Sequence, residues 1–295
     1  MALYGVSALV IRDFAIRIGG GPATILLLGL AFGIVNEGMV AHSLFNPGWP
    51  DVGVLGSYGR WGGVNWLWTE WIVPFHAVWS ISFPIFLSRQ LWPEVRDRRF
   101  LTDRTMVALV PIPFLLAIVW SFAFHPYPLG AADWVGMFAA IAALTGIAWR
   151  WGPRISRARP LGAWRPSPTL AATSGVLFFV VGQIGTWQTP DLGPYPEVGF
   201  VLLGLAWLSF GLFAMALDTG SLAGERARFA FVLGGIGFYT ALSPFSEFGL
   251  GRVGLVPIDL VVLGLLIWLY RRRTAEVPPV PPGAAGVPVG VEFSP

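Results

Sequence analysis

The chain contains no cysteine. Disulfides, thiolate metal sites and cysteine nucleophiles are therefore excluded. Lysine is absent too: all 19 basic residues are arginine, which rules out a Schiff-base lysine and the lysine of a phosphate-binding loop. Charge of either sign is scarce, at 12% of 295 residues, against about 25% in ordinary soluble domains. No G-x-S-x-G, H-E-x-x-H or Walker sequence occurs, and no G-x-G-x-x-G sits between a strand and a helix. The formal charge of +3 comes from arginines clustered between oily runs. That pattern points away from nucleic acid and toward membrane lipids as surroundings.

What the sequence has in abundance is apolar surface: 55% hydrophobic residues, with 15 Trp and 22 Phe. A helix needs about 20 mostly apolar residues to cross a bilayer core of about 30 Å. Eight runs qualify, at 22–45, 64–87, 105–124, 132–149, 169–187, 199–217, 229–246 and 253–270. They are continuous rather than alternating, so helices are expected and a β-barrel is not. The fold class is an all-α, polytopic transmembrane helix bundle of about eight spans.

Arginine placement sets an expected orientation. Arg89, Arg96, Arg98, Arg99 and Arg104 fall in one loop, and Arg150, Arg154, Arg157, Arg159 and Arg165 in the next but one. Arg226 and Arg228 continue the alternation, and Arg271–Arg273 follow the last span; the intervening loops hold only Arg60 and Arg252. Positive loops stay in the cytoplasm. The reading is a multi-pass protein of the cytoplasmic (inner) membrane with its C-terminus inside. Residues 1–21 read as a partial or interfacial helix, 22–273 as the transmembrane domain and 274–295 as a disordered tail rich in Pro and Gly.

Against this background the stretch FGIVNEGMVAHSLF is unusual, since it keeps Asn36, Glu37 and His42 in an oily run. At about 100° per residue, Gly29, Gly33, Glu37 and Ala41 share one stripe, so Glu37 faces protein rather than lipid. His42 falls about 140° away from Glu37 by the same arithmetic. On the second span Asn65, Thr69, His76 and Ser80 share a stripe, with Glu70 about 120° from His76. Counting about 1.5 Å per residue from the outer ends places Glu37 about 12 Å down and His76 about 18 Å down. Asp259 lies in the outer part of the last span, and His125, in FHPYPLG, reads as a loop residue. The tryptophans of the outer loop, Trp49, Trp61, Trp66, Trp68 and Trp71, read as an interface belt.

Glu37 and His76 are thus the candidate catalytic pair, with Glu70, Asp259 and His42 as supporting candidates. The pattern FGIVNEG…FHAVWS, over residues 29–82, resembles the glutamate and histidine motifs of intramembrane metalloproteases of the PrsW and CPBP type. This chain has Asn36-Glu37 where those families carry a Glu-Glu pair, and Val40, Ala41 and His42 where they carry Lys or Arg. The whole chain is similar to a group of multi-pass proteins from high-GC bacteria. The resemblance implies Glu37 and His76 as candidate ligands of a divalent metal such as zinc or as the base, with a third ligand unidentified. It implies an intramembrane hydrolase or lipid-processing enzyme. The alternatives are a proton-coupled transporter using Glu37 and Asp259, and a non-catalytic assembly protein in which the polar residues tie helices together.

Overall fold

The computed structural model describes residues 2–124, 127–157, 166–217, 222–250 and 253–275. It is almost wholly helical: α1 (Ala2–Arg17), α2 (Pro22–Val40), α3 (Trp66–Leu91), α4 (Asp103–Ala123), α5 (Ala131–Arg150), α6 (Pro168–Leu192), α7 (Pro196–Leu217), α8 (Leu222–Leu250) and α9 (Leu255–Ala275). Among the described residues seven helices, α2 to α8, are long and apolar enough to cross a membrane. The eighth expected run is helical as α9, but it carries Asp259, Arg271 and Arg272 and is not among the seven. Two compact units are present, Met1–Phe238 and Tyr239–Pro295. In the second, the Glu247 carboxylate accepts the backbone N–H of Val256 at 2.7 Å, near the start of α9. The expected disordered tail and His125 lie in or almost wholly in stretches outside the described residues.

In the first unit α2 is the central strut, packing on α1, α3 and α5. The glycine stripe explains how closely α3 approaches. A Cβ at Gly29 would lie 2.8 Å from the Ala77 backbone, and one at Gly33 would lie 2.8 Å from the Val73 carbonyl oxygen. A second backbone-to-backbone crossing joins α6 to α8, where a Cβ at Gly175 would fall 2.1 Å from the Phe231 carbonyl oxygen. These are small-residue interfaces of the kind that let helices associate in lipid without a hydrophobic driving force.

The first helix packs against the bundle. Its C-terminal part is tied to the arginine-rich 92–102 segment: Arg12 donates to the carbonyls of Val95 (2.8 Å), Arg96 (3.2 Å) and Arg98 (3.1 Å). Asp13 accepts the backbone N–H groups of Phe100 and Leu101, both at 2.9 Å. From there α1 runs along α2 and α4 until the Tyr4 ring packs 5.2 Å from that of Phe32. Its polar residues Ser7, Arg12 and Asp13 are buried in protein.

The loop between α2 and α3 is folded. A 3₁₀ segment, Pro50–Gly56, is followed by a hairpin of β1 (Arg60–Trp61) and β2 (Val64–Asn65). Its two-residue turn is Gly62-Gly63, both at positive φ, which suits the twist of a tight hairpin. The expected aromatic belt is only partly seen. Trp61 and Trp66 stack at 5.5 Å beside the hairpin, whereas Trp68 and Trp71 are buried in protein. Trp71 fits there because Gly182 on α6 leaves it room.

A side chain at Gly33 must push α3 away, at a cost of about 1–3 kcal/mol for overpacking. Gly33→Val is expected to lower the unfolding temperature of the detergent-solubilised protein. Gly136→Leu, on α5 where nothing lies within 4 Å of the added Cβ, is expected to leave it unchanged.

Candidate functional site

Neither of the first two spans is a regular α-helix where the polar residues sit. Val35–Val40 in α2 and His76–Ser82 in α3 are π-helical. In α2 the wider turn is closed by the Ala41 N–H on the Asn36 carbonyl at 2.8 Å. In α3 the cause lies in the sequence. Pro74 and Pro84 lack the N–H groups that would bond the carbonyls four residues earlier, and the ladder is rebuilt between them in the wider form. The Ser82 hydroxyl adds a bond to the Ala77 carbonyl at 2.7 Å. Such π segments occur frequently at functional sites.

Glu37 and His76 stand in these two segments and touch. His76 Nε2 lies 2.7 Å from Glu37 Oε1, with both side chains buried. Helical side chains tilt toward their own helix's N-terminus. Because α2 and α3 run antiparallel, Glu37 leans toward the arginine-rich end and His76 toward the tryptophan-rich end. The offset of about one turn expected from their depths is closed by that lean.

The pair is well supplied with partners. Asn36 Nδ2 donates to Glu37 Oε1 at 2.9 Å and lies 3.2 Å from His76 Nε2. The Ser43 hydroxyl donates to Glu37 Oε2, and accepts the indole N–H of Trp68 at 2.9 Å. On the far side of the imidazole, Ser80 Oγ is 2.8 Å from Nδ1. Assigning hydrogens from this network puts the proton on Nε2, facing the carboxylate, with Ser80 donating to Nδ1. The Tyr4 hydroxyl hydrogen-bonds Asn36, its ring lies 6.1 Å from that of His76, and Phe32 closes the same side edge-on. A hydrogen bond to a charged group contributes about 1.5–3 kcal/mol. Three such donors on Glu37 match or exceed the about 2.5–3.5 kcal/mol that a mid-membrane acid costs on insertion scales.

The other candidates are placed elsewhere. Helix α2 ends at Val40, and His42 sits in the following turn at φ 58°, so angular arithmetic for a helix running to residue 45 does not apply to it. His42 is buried and ties two segments, with Nδ1 2.8 Å from the Tyr127 carbonyl and Nε2 2.6 Å from Ser121 Oγ. Glu70 turns to α7, where its Oε1 would meet a Cβ at Gly204 at 3.0 Å. Asp259 belongs to α9 in the second unit. Asn65, expected on a helical stripe with His76, precedes the helix as its N-cap and accepts the Trp68 backbone N–H at 3.0 Å. Tyr4 and Ser43 are site residues that sequence reasoning does not single out, and Asn36, conspicuous in the oily run, is not among its site candidates. Asn36 and Ser43 flank Glu37 in the chain, but the register of Tyr4 is visible only once α1 is packed.

The residues do not fit a zinc centre. Among the described residues no group of three or more His, Asp or Glu side chains comes together. The remaining neighbours of the pair are an amide and three hydroxyls, where zinc takes imidazole, thiolate or carboxylate.

A model of an uncharacterized membrane protein family matches residues 1–181. The chain belongs to that family. The match takes in α1 to α5, the folded loop and every residue of the Glu37–His76 network. It agrees with the multi-pass membrane reading and adds nothing to the resemblance to PrsW- and CPBP-type proteases. The chain is also 26% identical over 234 residues to the ammonium transporter Amt2 of Haloferax mediterranei, a match covering 74% of this chain and 47% of that protein. The chain thus spans about half the length of this curated relative. No solved structure matches.

Ser43 links Trp68 to the carboxylate, so Ser43→Ala leaves two buried polar groups short of a partner. It is expected to cost about 1–3 kcal/mol in unfolding free energy. Ser209→Ala, at an exposed position bonding only its own helix, is expected to change stability by less than about 0.5 kcal/mol.

Proposed function

We propose that this family member is a proton-coupled membrane transporter of a small polar or cationic solute, with Glu37 and His76 as its proton-binding centre. The observation that carries this reading is the 2.7 Å contact between a buried carboxylate and a buried imidazole inside the bundle. A proton on Nε2 passes to Oε1 with little movement of heavy atoms. A second proton is accommodated at Nδ1 when the Ser80 hydroxyl turns from donor to acceptor. Intramembrane acids and histidines mark proton relays and ion pathways.

Two further observations support transport over hydrolysis. Cavities of about 340 Å³ and 250 Å³ flank the centre, and neither is lined by Glu37 or His76. A proton relay needs only the contact of the two side chains, whereas hydrolysis needs a substrate seated against them. The distant similarity to an ammonium transporter points the same way and suggests ammonium as the first solute to try. The apolar inner halves of the spans argue against a through-route when the sequence is considered alone. Helix α1 changes that balance by carrying Tyr4, Ser7, Arg12 and Asp13 in series from the centre toward the arginine-rich end. With positive loops inside, that end is the cytoplasmic one of the inner membrane.

The test is uptake of labelled methylammonium into proteoliposomes under an imposed proton gradient, with a pH dye inside. Wild type is expected to give flux above protein-free vesicles with a matching pH change. Glu37→Gln and His76→Gln are expected to abolish it while still folding. Equal flux in wild type and Glu37→Gln contradicts the proposal.

A further inference from the structure

The cavity of about 340 Å³ is a slot between α2, α3, α6, α7 and the start of α8, and every residue lining it belongs to the first unit. Its walls are apolar, with Leu30, Pro74, Phe178, Trp207, Phe210 and Phe231 among them. Two arginines also line it, Arg89 and Arg228. Arg89 is in the last turn of α3 and Arg228 in the first turns of α8, so both stand at the arginine-rich end. Pro74 marks the deep end. From Arg89 to Pro74 the slot runs roughly 20 Å at about 1.5 Å per residue, somewhat more than one leaflet's half of the about 30 Å hydrocarbon core.

We propose that this slot binds an anionic phospholipid of the leaflet at the arginine-rich end, with an acyl chain between the helices and the phosphate on Arg89 and Arg228. The volume lies within the range of about 300–1,000 Å³ usual for ligand pockets. The charge arrangement selects the headgroup. Arg228 stands 5.7 Å over the Phe86 ring, beside the slot. The acid nearest Arg89 is Asp97, at 3.1 Å, but that carboxylate is 77% exposed. An exposed pair of this kind is weak and yields to a phosphate. Basic pockets between transmembrane helices bind anionic headgroups by this chemistry. The site does not depend on the transport reading, since neither Glu37 nor His76 lines it.

Gly211 supplies a clean test. It lines the slot, and an added Cβ there meets nothing within 4 Å, so a larger residue fills the slot without disturbing the helix. Full-length protein is purified from nanodiscs of equal phosphatidylglycerol and phosphatidylcholine, and retained lipid is counted by native mass spectrometry. Wild type is expected to keep one phosphatidylglycerol in preference to phosphatidylcholine by about tenfold. In Arg89→Gln/Arg228→Gln the preference is expected to fall to about one, as expected for an electrostatic selector. Gly211→Leu is expected to retain neither lipid. Should the double variant fail to fold, Arg89→Gln alone, whose acid partner is exposed, carries the headgroup test with a reduced preference expected. Equal retention of the two lipids by wild type overturns the proposal, as does an unchanged preference in the arginine variants or undiminished retention in Gly211→Leu.

Discussion

A carboxylate inside a lipid-embedded bundle has to find donors within the protein, and that requirement organises the first two spans. Glu37 is met by His76, Asn36 and Ser43, and Ser43 in turn is held by Trp68. Each donor comes from a different local device: a π-helical turn, a chain neighbour, the turn after α2 and the first turn of α3. Removing the carboxylate would take away the acceptor shared by His76 Nε2, Asn36 and the Ser43 hydroxyl. The network is therefore a reason for the geometry of this region as much as a consequence of it.

Close backbone packing makes the meeting feasible. Gly29 and Gly33 let α3 come within van der Waals distance of the α2 backbone. The antiparallel course then points the two side chains at each other. The π turns add what a regular helix lacks. Each inserts a residue and rotates the remainder of its helix by about 100°, so that both Glu37 and His76 sit where the ladder is widened. The same prolines that force this in α3 are written plainly in its sequence, at positions 74 and 84.

Much of the architecture is legible from hydropathy, because it reflects the bilayer itself. The glycine stripe places Glu37 toward protein by simple periodicity. Periodicity misplaces His42 because it carries the helix through residue 45, whereas the helix stops at Val40 and the chain turns at a left-handed residue. A general tendency of tryptophan assigns Trp68 and Trp71 to the interface, yet glycine on α6 and the Ser43 hydroxyl give them places inside. The role of α1 is hidden for another reason. Its sequence shows only a short apolar run ending in Arg12 and Asp13. Nothing local reveals that these two bind the 95–101 backbone and so aim Tyr4 at the imidazole.

The direct bond between Glu37 and His76 is the claim on which the functional reading stands. Only three histidines occur in the chain, so the imidazole resonances of the lipid-embedded protein can be assigned singly by solid-state NMR. The decisive measurement is nitrogen–carbon dipolar recoupling between His76 Nε2 and the Glu37 carboxyl carbon. A strong contact, lost in Glu37→Gln together with a change in the Nε2 shift, is the result the structure requires. An uncoupled His76, with shifts indifferent to residue 37, would contradict it.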